Sequence, residues 1–306
     1  MKKIQNLRLF FYRKGFSMNF RTDLALERRE LLHNSPPKGV ESMQYSADGV
    51  NFTKIKIISQ EGAESLGKPV GTYITAELVP LAVSSPVDEH IIDVIANEIR
   101  NLLPKNGTVL VAGLGNSDIT PDAVGPKSVS LILATRHLNS ELTDSLGLGQ
   151  LRPVAALAPG VLGKTGIETA ESIKGAVESV RPSAVIVIDA LAARRLSRLG
   201  NTVQISDTGI SPGSGVGNAR SEITAGTLGV PVISVGIPTV ADAQTLVEDL
   251  TNGERSAENE ENGKMIVTPR EIDIVIERAS KLIGLSINKA LQPHLSIDEI
   301  MMLAGN

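Results

Sequence analysis

Three apolar runs limit what this chain can fold into: TVLVAGL (108–114), AVIVI (184–188) and VPVISVGIP (230–238). Each is short and bounded by turn residues, and none alternates with polar positions. Such runs suit strands covered on both faces, as in parallel sheets. No stretch reaches the roughly 18 apolar residues of a membrane span. Helical patterns lie between the runs. Pro126 suits the first position of a helix carrying Val129, Ile132 and Leu133 on one face. Thr165 and Glu168 have capping-box spacing, with Ile167, Ala170, Ile173, Val177 and Val180 at helical spacing and Arg181-Pro182 as a stop. Thr268-Pro269 opens a long helix with the stripe Ile272, Val275, Ile276, Ala279, Leu282 and Ile283. Strands alternating with helices predict an α/β fold, a central mostly parallel sheet flanked by helices. Residues 34–70, rich in Gly, Pro and Ser, predict short strands and loops, an irregular N-terminal portion of one domain. The acidic segment TNGERSAENEENGK (251–264) reads as a solvated loop.

Composition narrows the function. Five of the eight aromatic residues lie in the first twenty positions, so the rest must build its core from Val, Ile, Leu and Ala. The net charge of −4 shows no basic bias, which argues against a nucleic-acid partner. Absence of cysteine removes disulfides, thiolate metal sites and a Cys nucleophile, and points to a reducing cytoplasm. The head, MKKIQNLRLFFYRKGFSMNFRT, carries six bases and no acid. It lacks the uncharged centre and cleavage site of a secretory signal. A membrane-surface helix, a removable tail, or an upstream start with Met18 as the true first residue all suit it.

Several motifs fail on their chemistry. Gly113-x-Gly115 follows a strand, as a dinucleotide loop does, but Asp118 stands where the third glycine belongs and would repel a pyrophosphate. Gly209-Ile-Ser211-Pro-Gly213 matches a serine-hydrolase elbow, with Asp242 and His294 following in order. The residue after the serine should donate its N–H to an oxyanion, and Pro212 has none. Asp207-Thr208-Gly209 is the aspartic-protease triplet, but it occurs once, in a chain that reads α/β. His33, His90, His137 and His294 are scattered without metal-ligand spacing.

Two acids remain. Asp189 follows the apolar run AVIVI, where a buried carboxylate is costly unless paired or used. Asp122 lies in the loop after the first run, before Pro126. In a parallel sheet both would project at the carboxyl ends of strands, where open α/β folds place their sites. Two carboxylates there could share a proton, one activating water while the other polarises a carbonyl. A helix cap at Asp122 and a structural hydrogen bond at Asp189 explain the pattern equally well.

The segments FRTDLALE (20–27), GTYITAELVPL (71–81), GLGNSDITPDAVGP (113–126), VIVIDALAARR (185–195), SDTGISPGSGVGN (206–218) and GVPVISVGIPTVADA (229–243) are together distinctive. In order and spacing the chain resembles the germination protease family of spore-forming bacteria. Its members degrade the small acid-soluble proteins that coat spore DNA. The head before Phe20 and the acidic loop fall outside the match. The resemblance implies a fold similar to hydrogenase-maturation endopeptidases. In those, two acids at the positions of Asp122 and Asp189, with a histidine, hold nickel. No histidine lies between His137 and His294, so a third ligand is missing. The resemblance therefore implies an atypical aspartic-type peptidase with Asp122 and Asp189 as catalytic pair and no metal or cofactor. A helix N-terminus beside Asp122 favours its charged form, making Asp122 the base and Asp189 the proton-bearing partner.

The family's members are made as zymogens that remove their own N-terminal segment. They cut after the acid of a Thr-Glu sequence, before an apolar residue, Ala and a nearby Glu. Thr22-Asp23-Leu24-Ala25-Leu26-Glu27 resembles that site, implying cleavage between Asp23 and Leu24, a propeptide of residues 1–23 and a peptidase domain of residues 24–306. Removing the propeptide deletes six bases and one acid, leaving the chain five charges more negative. Arg194, Arg195, Arg220 and Lys164 are candidates to hold the acid before the scissile bond. The resemblance also implies a homotetramer in the cytoplasm of the spore core, with small acid-soluble spore proteins as substrates and no membrane or nucleic-acid partner. The alternatives are a metal-dependent maturation endopeptidase of the same fold and a non-catalytic nucleotide-binding module.

Overall fold

The three apolar runs are strands of one nine-stranded sheet. The computed structural model describes residues 21–32, 37–83, 88–145, 147–217, 220–250 and 265–304. In chain order its strands are β1 (Val40–Ala47), β2 (Val50–Ile57), β3 (Gly71–Glu77), β4 (Val109–Gly113), β5 (Val154–Leu157), β6 (Ala184–Ala192), β7 (Thr202–Ser206), β8 (Val232–Asp242) and β9 (Ile266–Val267). The helices used below are α1 (Ala25–Leu31), α2 (Gln60–Leu66), α3 (Glu89–Leu102), α4 (Val124–Ser130), α5 (Ser140–Ser145), α6 (Leu162–Thr165), α7 (Thr169–Val180), α8 (Ala225–Leu228), α9 (Ala243–Leu250), α10 (Ile272–Leu291) and α11 (Ile297–Leu303). Across the sheet the order is β1-β2-β3-β7-β8-β6-β4-β5, with β9 on the end of β8.

Burial on both faces explains the unbroken apolar runs. In β4, Val109 and Val111 join the core under α3 and α10, while Leu110 and Ala112 join the core under α7, with its Ile173 and Val177. β6 divides the same way, Ile186 and Ile188 to one side and Val185 and Val187 to the other. Each layer excludes water from one set of alternate side chains, so neither set can be polar.

The α/β architecture is as expected, but the sheet is mixed rather than mostly parallel. β5, β4, β6 and β8 pair in parallel. Beyond β8, strands β7, β3, β2 and β1 continue antiparallel. Residues 40–57 are a regular hairpin rather than short strands and loops. Asp48 and Gly49 take left-handed φ values of 45° and 79°, and the turn joins two eight-residue strands. The all-aliphatic core holds only for the parallel half. Phe52 is fully buried and stacks on Tyr45, and Tyr73 is buried beneath α1 and α2.

Some helix boundaries also differ. Pro126 is the third residue of α4, because a 3-10 turn over Thr120–Asp122 feeds straight into it, and Ile132 and Leu133 lie past its end. Thr165 ends α6 instead of capping α7, its hydroxyl bonding the carbonyls of Val161 and Ile167. The capping box is Glu168 with Glu171, and Ile167 is exposed. α10 begins at Ile272, and its expected stripe is buried from Val275 onward. Among the described residues no helix is long and apolar enough to cross a membrane. The head to Phe20, His33 and the acidic segment 251–264 lie outside the described residues.

Candidate active site

The chain runs from β4 to β5 on one side, then returns to β6 on the other. The crevice at the carboxyl ends of β4 and β6 is therefore a topological switch point, the usual ligand site of an open α/β sheet. Asp122 and Asp189 both line a cavity of about 580 Å³ there.

Asp122 closes the 3-10 turn after β4. Its Oδ2 accepts the Asn116 N–H at 2.8 Å, across the loop that carries it. Gly115 makes that approach possible. Its φ is +109°, and a Cβ there would stand 2.1 Å from the Asp122 carbonyl oxygen. Thr239 of β8 pins the turn by donating to the Pro121 carbonyl at 2.8 Å. The glycines thus serve the placement of Asp122, and Asp118 points instead to an exposed ion pair with Lys164.

Asp189 does not end its strand. β6 continues to Ala192 because β8 pairs with it that far, while β4 stops opposite Ile188. Asp189 is 6% exposed, and its Oδ1 accepts the Ala190 N–H at 2.9 Å. Burial, then the charges of Asp122 and Asp23, push its pKa well above the ordinary carboxylate value. Asp122 is also raised, by burial, against the opposing pull of the Asn116 N–H and the Arg220 charge. The helix-terminus expectation for Asp122 is therefore corrected: desolvation outweighs what favours its ion. Both acids are shifted toward their protonated forms, Asp189 well above the ordinary value.

The Thr22–Glu27 segment is built into the same place. Asp23 lines the cavity with the two acids. Its N–H donates to the Ala192 carbonyl at 2.9 Å, and its carboxylate accepts the Ala192 N–H at 2.8 Å and the Ser214 hydroxyl at 2.9 Å. The Asp23 carbonyl accepts from Lys68 Nζ at 2.9 Å and Gln204 Nε2 at 3.0 Å. Leu24 is fully buried beside Leu191 and Ala193. Glu27 is also fully buried. It accepts from the Thr22 hydroxyl and from the N–H groups of Arg194 and Arg195 at 2.6 and 3.0 Å, and pairs with Arg198 at 3.2 Å.

Of the four cations expected to hold the acid before Leu24, none supplies a hydrogen bond to Asp23 among the described contacts. Arg194 and Arg195 contribute backbone N–H groups to Glu27, Arg220 lies in the field of Asp122, and Lys164 pairs with Asp118. Lys68, Gln204, Ser214 and Arg198 were missed. Ser214 lies inside a quoted motif, and Gln204 is a polar residue inside an apolar strand, a readable signal. Lys68 had none.

Pro212 and Gly213 line the same cavity as the pair, but the would-be catalytic side chains of the rejected motifs are engaged elsewhere. Ser211 donates to Glu222, Asp242 is occupied by Arg21 and Thr245, and His294 meets the Leu148 carbonyl. Asp207 accepts the Thr72 N–H at 2.7 Å, bridging the ends of β7 and β3. Among the described residues no three His, Cys, Asp or Glu side chains are grouped to hold a metal ion.

A family model described as germination protease matches residues 21–252. The germination protease of Caldanaerobacter subterraneus subsp. tengcongensis is 44% identical, over 94% of this chain and 98% of that one. That of Clostridium acetobutylicum is 40% identical over 92% and 97%, and that of Geobacillus sp. 45% over 75% and 65%. Among solved structures, the [NiFe] hydrogenase maturation protease HycI from Thermococcus kodakarensis is similar at 16% identity and a TM-score of 0.35, covering 62% of this chain and 98% of that one.

Proposed function

The chain belongs to the germination protease family and is a spore-germination endopeptidase, and from that premise we propose that it is a self-processing, two-aspartate peptidase acting on small acid-soluble spore proteins. The observation that carries this reading is the position of Asp23, which lines the same cavity as Asp122 and Asp189. Asp122, the more readily ionised acid, takes a proton from water as the water oxygen adds to the carbonyl carbon of Asp23. Asp189 holds its proton for the departing side. Cleavage between Asp23 and Leu24 removes residues 1–23 and leaves residues 24–306 as the peptidase. By the family resemblance the substrates carry the same kind of Thr-acid-apolar-Ala sequence, and the enzyme works as a homotetramer in the spore-core cytoplasm.

The test is intact-mass spectrometry of the purified chain with a small acid-soluble spore protein, with and without chelator, beside the Asp122→Asn/Asp189→Asn variant. Cuts after acidic residues, indifference to chelator and an inert variant support the reading. Loss of cutting with chelator returns the metal-dependent alternative. A double variant that cuts like wild type removes the catalytic pair. A processed N-terminus other than Leu24 removes the junction.

A further inference from the structure

The Asp23 carbonyl is held by groups from a different cavity than the one that contains the two carboxylates. Asp23 is a shared wall: one cavity contains Asp122 and Asp189, and a second contains Lys68, Gln204 and Ser206. Two donors from different elements converge on the Asp23 carbonyl oxygen, Lys68 Nζ from the turn after α2 and Gln204 Nε2 from β7. Gln204 also spans Leu24, since its Oε1 accepts the Ala25 N–H at 2.8 Å while its Nε2 holds the Asp23 carbonyl. A buried amide bonded to the groups on either side of Leu24 holds the two peptide units that flank this residue at a fixed distance from β7. Lys68 is half-buried, and its ammonium is spent on the Asp23 carbonyl with the Asp23 charge close by, although desolvating an ammonium costs free energy that a hydrogen bond to a neutral carbonyl returns only in part. The arrangement has a clear use if negative charge develops on that oxygen.

Resting on the peptidase reading above, we infer that Lys68 and Gln204 are the oxyanion-binding groups of this enzyme. Water adds to the Asp23 carbonyl carbon and gives a proton to Asp122. The carbonyl electron pair moves onto the oxygen, where the Lys68 ammonium and the Gln204 amide stabilise it. When that pair returns, the C–N bond breaks and the Leu24 nitrogen leaves with the proton of Asp189. The new carboxyl group loses its proton, and Asp122 passes its own to Asp189, which restores the pair. The carbonyl oxygen already has two donors, so the Asp189 proton is free for the nitrogen. Burial lowers the Lys68 pKa, and the Asp23 charge opposes that shift. A substrate acid before the scissile bond would then help to keep the oxyanion donor charged.

The experiment follows self-cleavage of the full chain by intact mass, comparing wild type, Lys68→Met and Gln204→Met, with thermal unfolding of each. A spore-protein substrate then gives kcat and KM for each processed enzyme. The assignment expects each variant to unfold near the wild-type temperature and to lose about 10²–10³-fold in self-cleavage and in kcat, with KM within a few-fold. A merely structural role would move unfolding or KM and spare kcat. If Lys68→Met fails to fold, the Gln204→Met rates decide alone. Wild type cut at Asp23–Leu24 with undiminished, folded variants sinks the assignment but leaves the peptidase reading standing. A wild type that is never cut there sinks both.

Discussion

The two halves of the sheet are made differently and contribute different things. The parallel half, β5-β4-β6-β8, is aliphatic, covered on both faces, and carries the two acids at its switch point. The antiparallel half, β1-β2-β3-β7, holds the three described aromatic residues, Tyr45, Phe52 and Tyr73. With the turn after α2 it holds the Thr22–Glu27 segment through Gln204 and Lys68. The parallel half carries the two carboxylates, and both halves hold the segment, since Asp23 also bonds Ala192 of β6. A site of this kind needs both, because acid and base groups act only on a carbonyl already held at hydrogen-bonding reach.

The sharpest break between the halves is chemical. Asp122→Asn or Asp189→Asn should each cost about 10²–10⁴-fold in self-cleavage, read by intact mass, while the chain stays folded. Asp189→Asn should also stabilise the fold, and the sign follows from linkage. The folded Asp189 pKa lies above its unfolded value near 3.8. As pH rises past that value the unfolded chain ionises first, so stability is lost up to the folded pKa and stays lost above it. The variant's unfolding temperature should match wild type near pH 3 and exceed it increasingly toward neutrality. A gap of the opposite sign would mean that Asp189 is ionised in the fold.

The next largest effect falls on the antiparallel side. Arg198 is 9% exposed at its side chain and is an ionic partner of the fully buried Glu27, and it also pairs with Glu30. Arg198→Met should cost about 3 kcal/mol in chemical denaturation, because it strands a buried carboxylate. A loss under about 1 kcal/mol would mean that the Thr22 hydroxyl and two backbone N–H groups suffice for Glu27. Because the junction lies against its own chain's acids, self-cleavage should be first order, with a half-life unchanged across a wide range of protein concentration. A half-life that shortens with concentration would move the reaction to a second copy.

A smaller shift tests the cross-talk around Asp122. The Arg220 charge lowers the Asp122 pKa against its burial. Arg220→Ala should therefore move the acid limb of the pH–rate profile to higher pH and leave the alkaline limb in place. The smallest effect belongs to the surface. Lys164→Ala breaks only the exposed pair with Asp118 and should leave the unfolding temperature unchanged.

The sequence made the parallel half legible because burial on both faces forces a residue pattern that needs no partner to be read. It exposed Asp122 and Asp189 as acids stranded beside apolar runs. The hairpin of β1 and β2 carried its own signal in Asp48-Gly49, a turn pair between two strand-like runs, yet the surrounding Gly, Pro and Ser residues hid it. Asp189 also looked like a strand end, because only the pairing with β8 extends β6 to Ala192.

The sequence by itself determined the alternating elements, the aliphatic sheet centre, two candidate acids beside apolar runs, and a Thr-Asp-Leu-Ala-Leu-Glu segment near the N-terminus. Each of these is written in neighbouring residues. Tertiary structure alone decided that Asp23 would share a wall with Asp122 and Asp189, that a lysine at position 68 and a glutamine at position 204 would meet on one carbonyl oxygen, and that burial would raise both carboxyl pKa values. Those contacts join residues far apart in the chain. Their energies come from desolvation and through-space charge, which depend on what surrounds a group rather than on what precedes it.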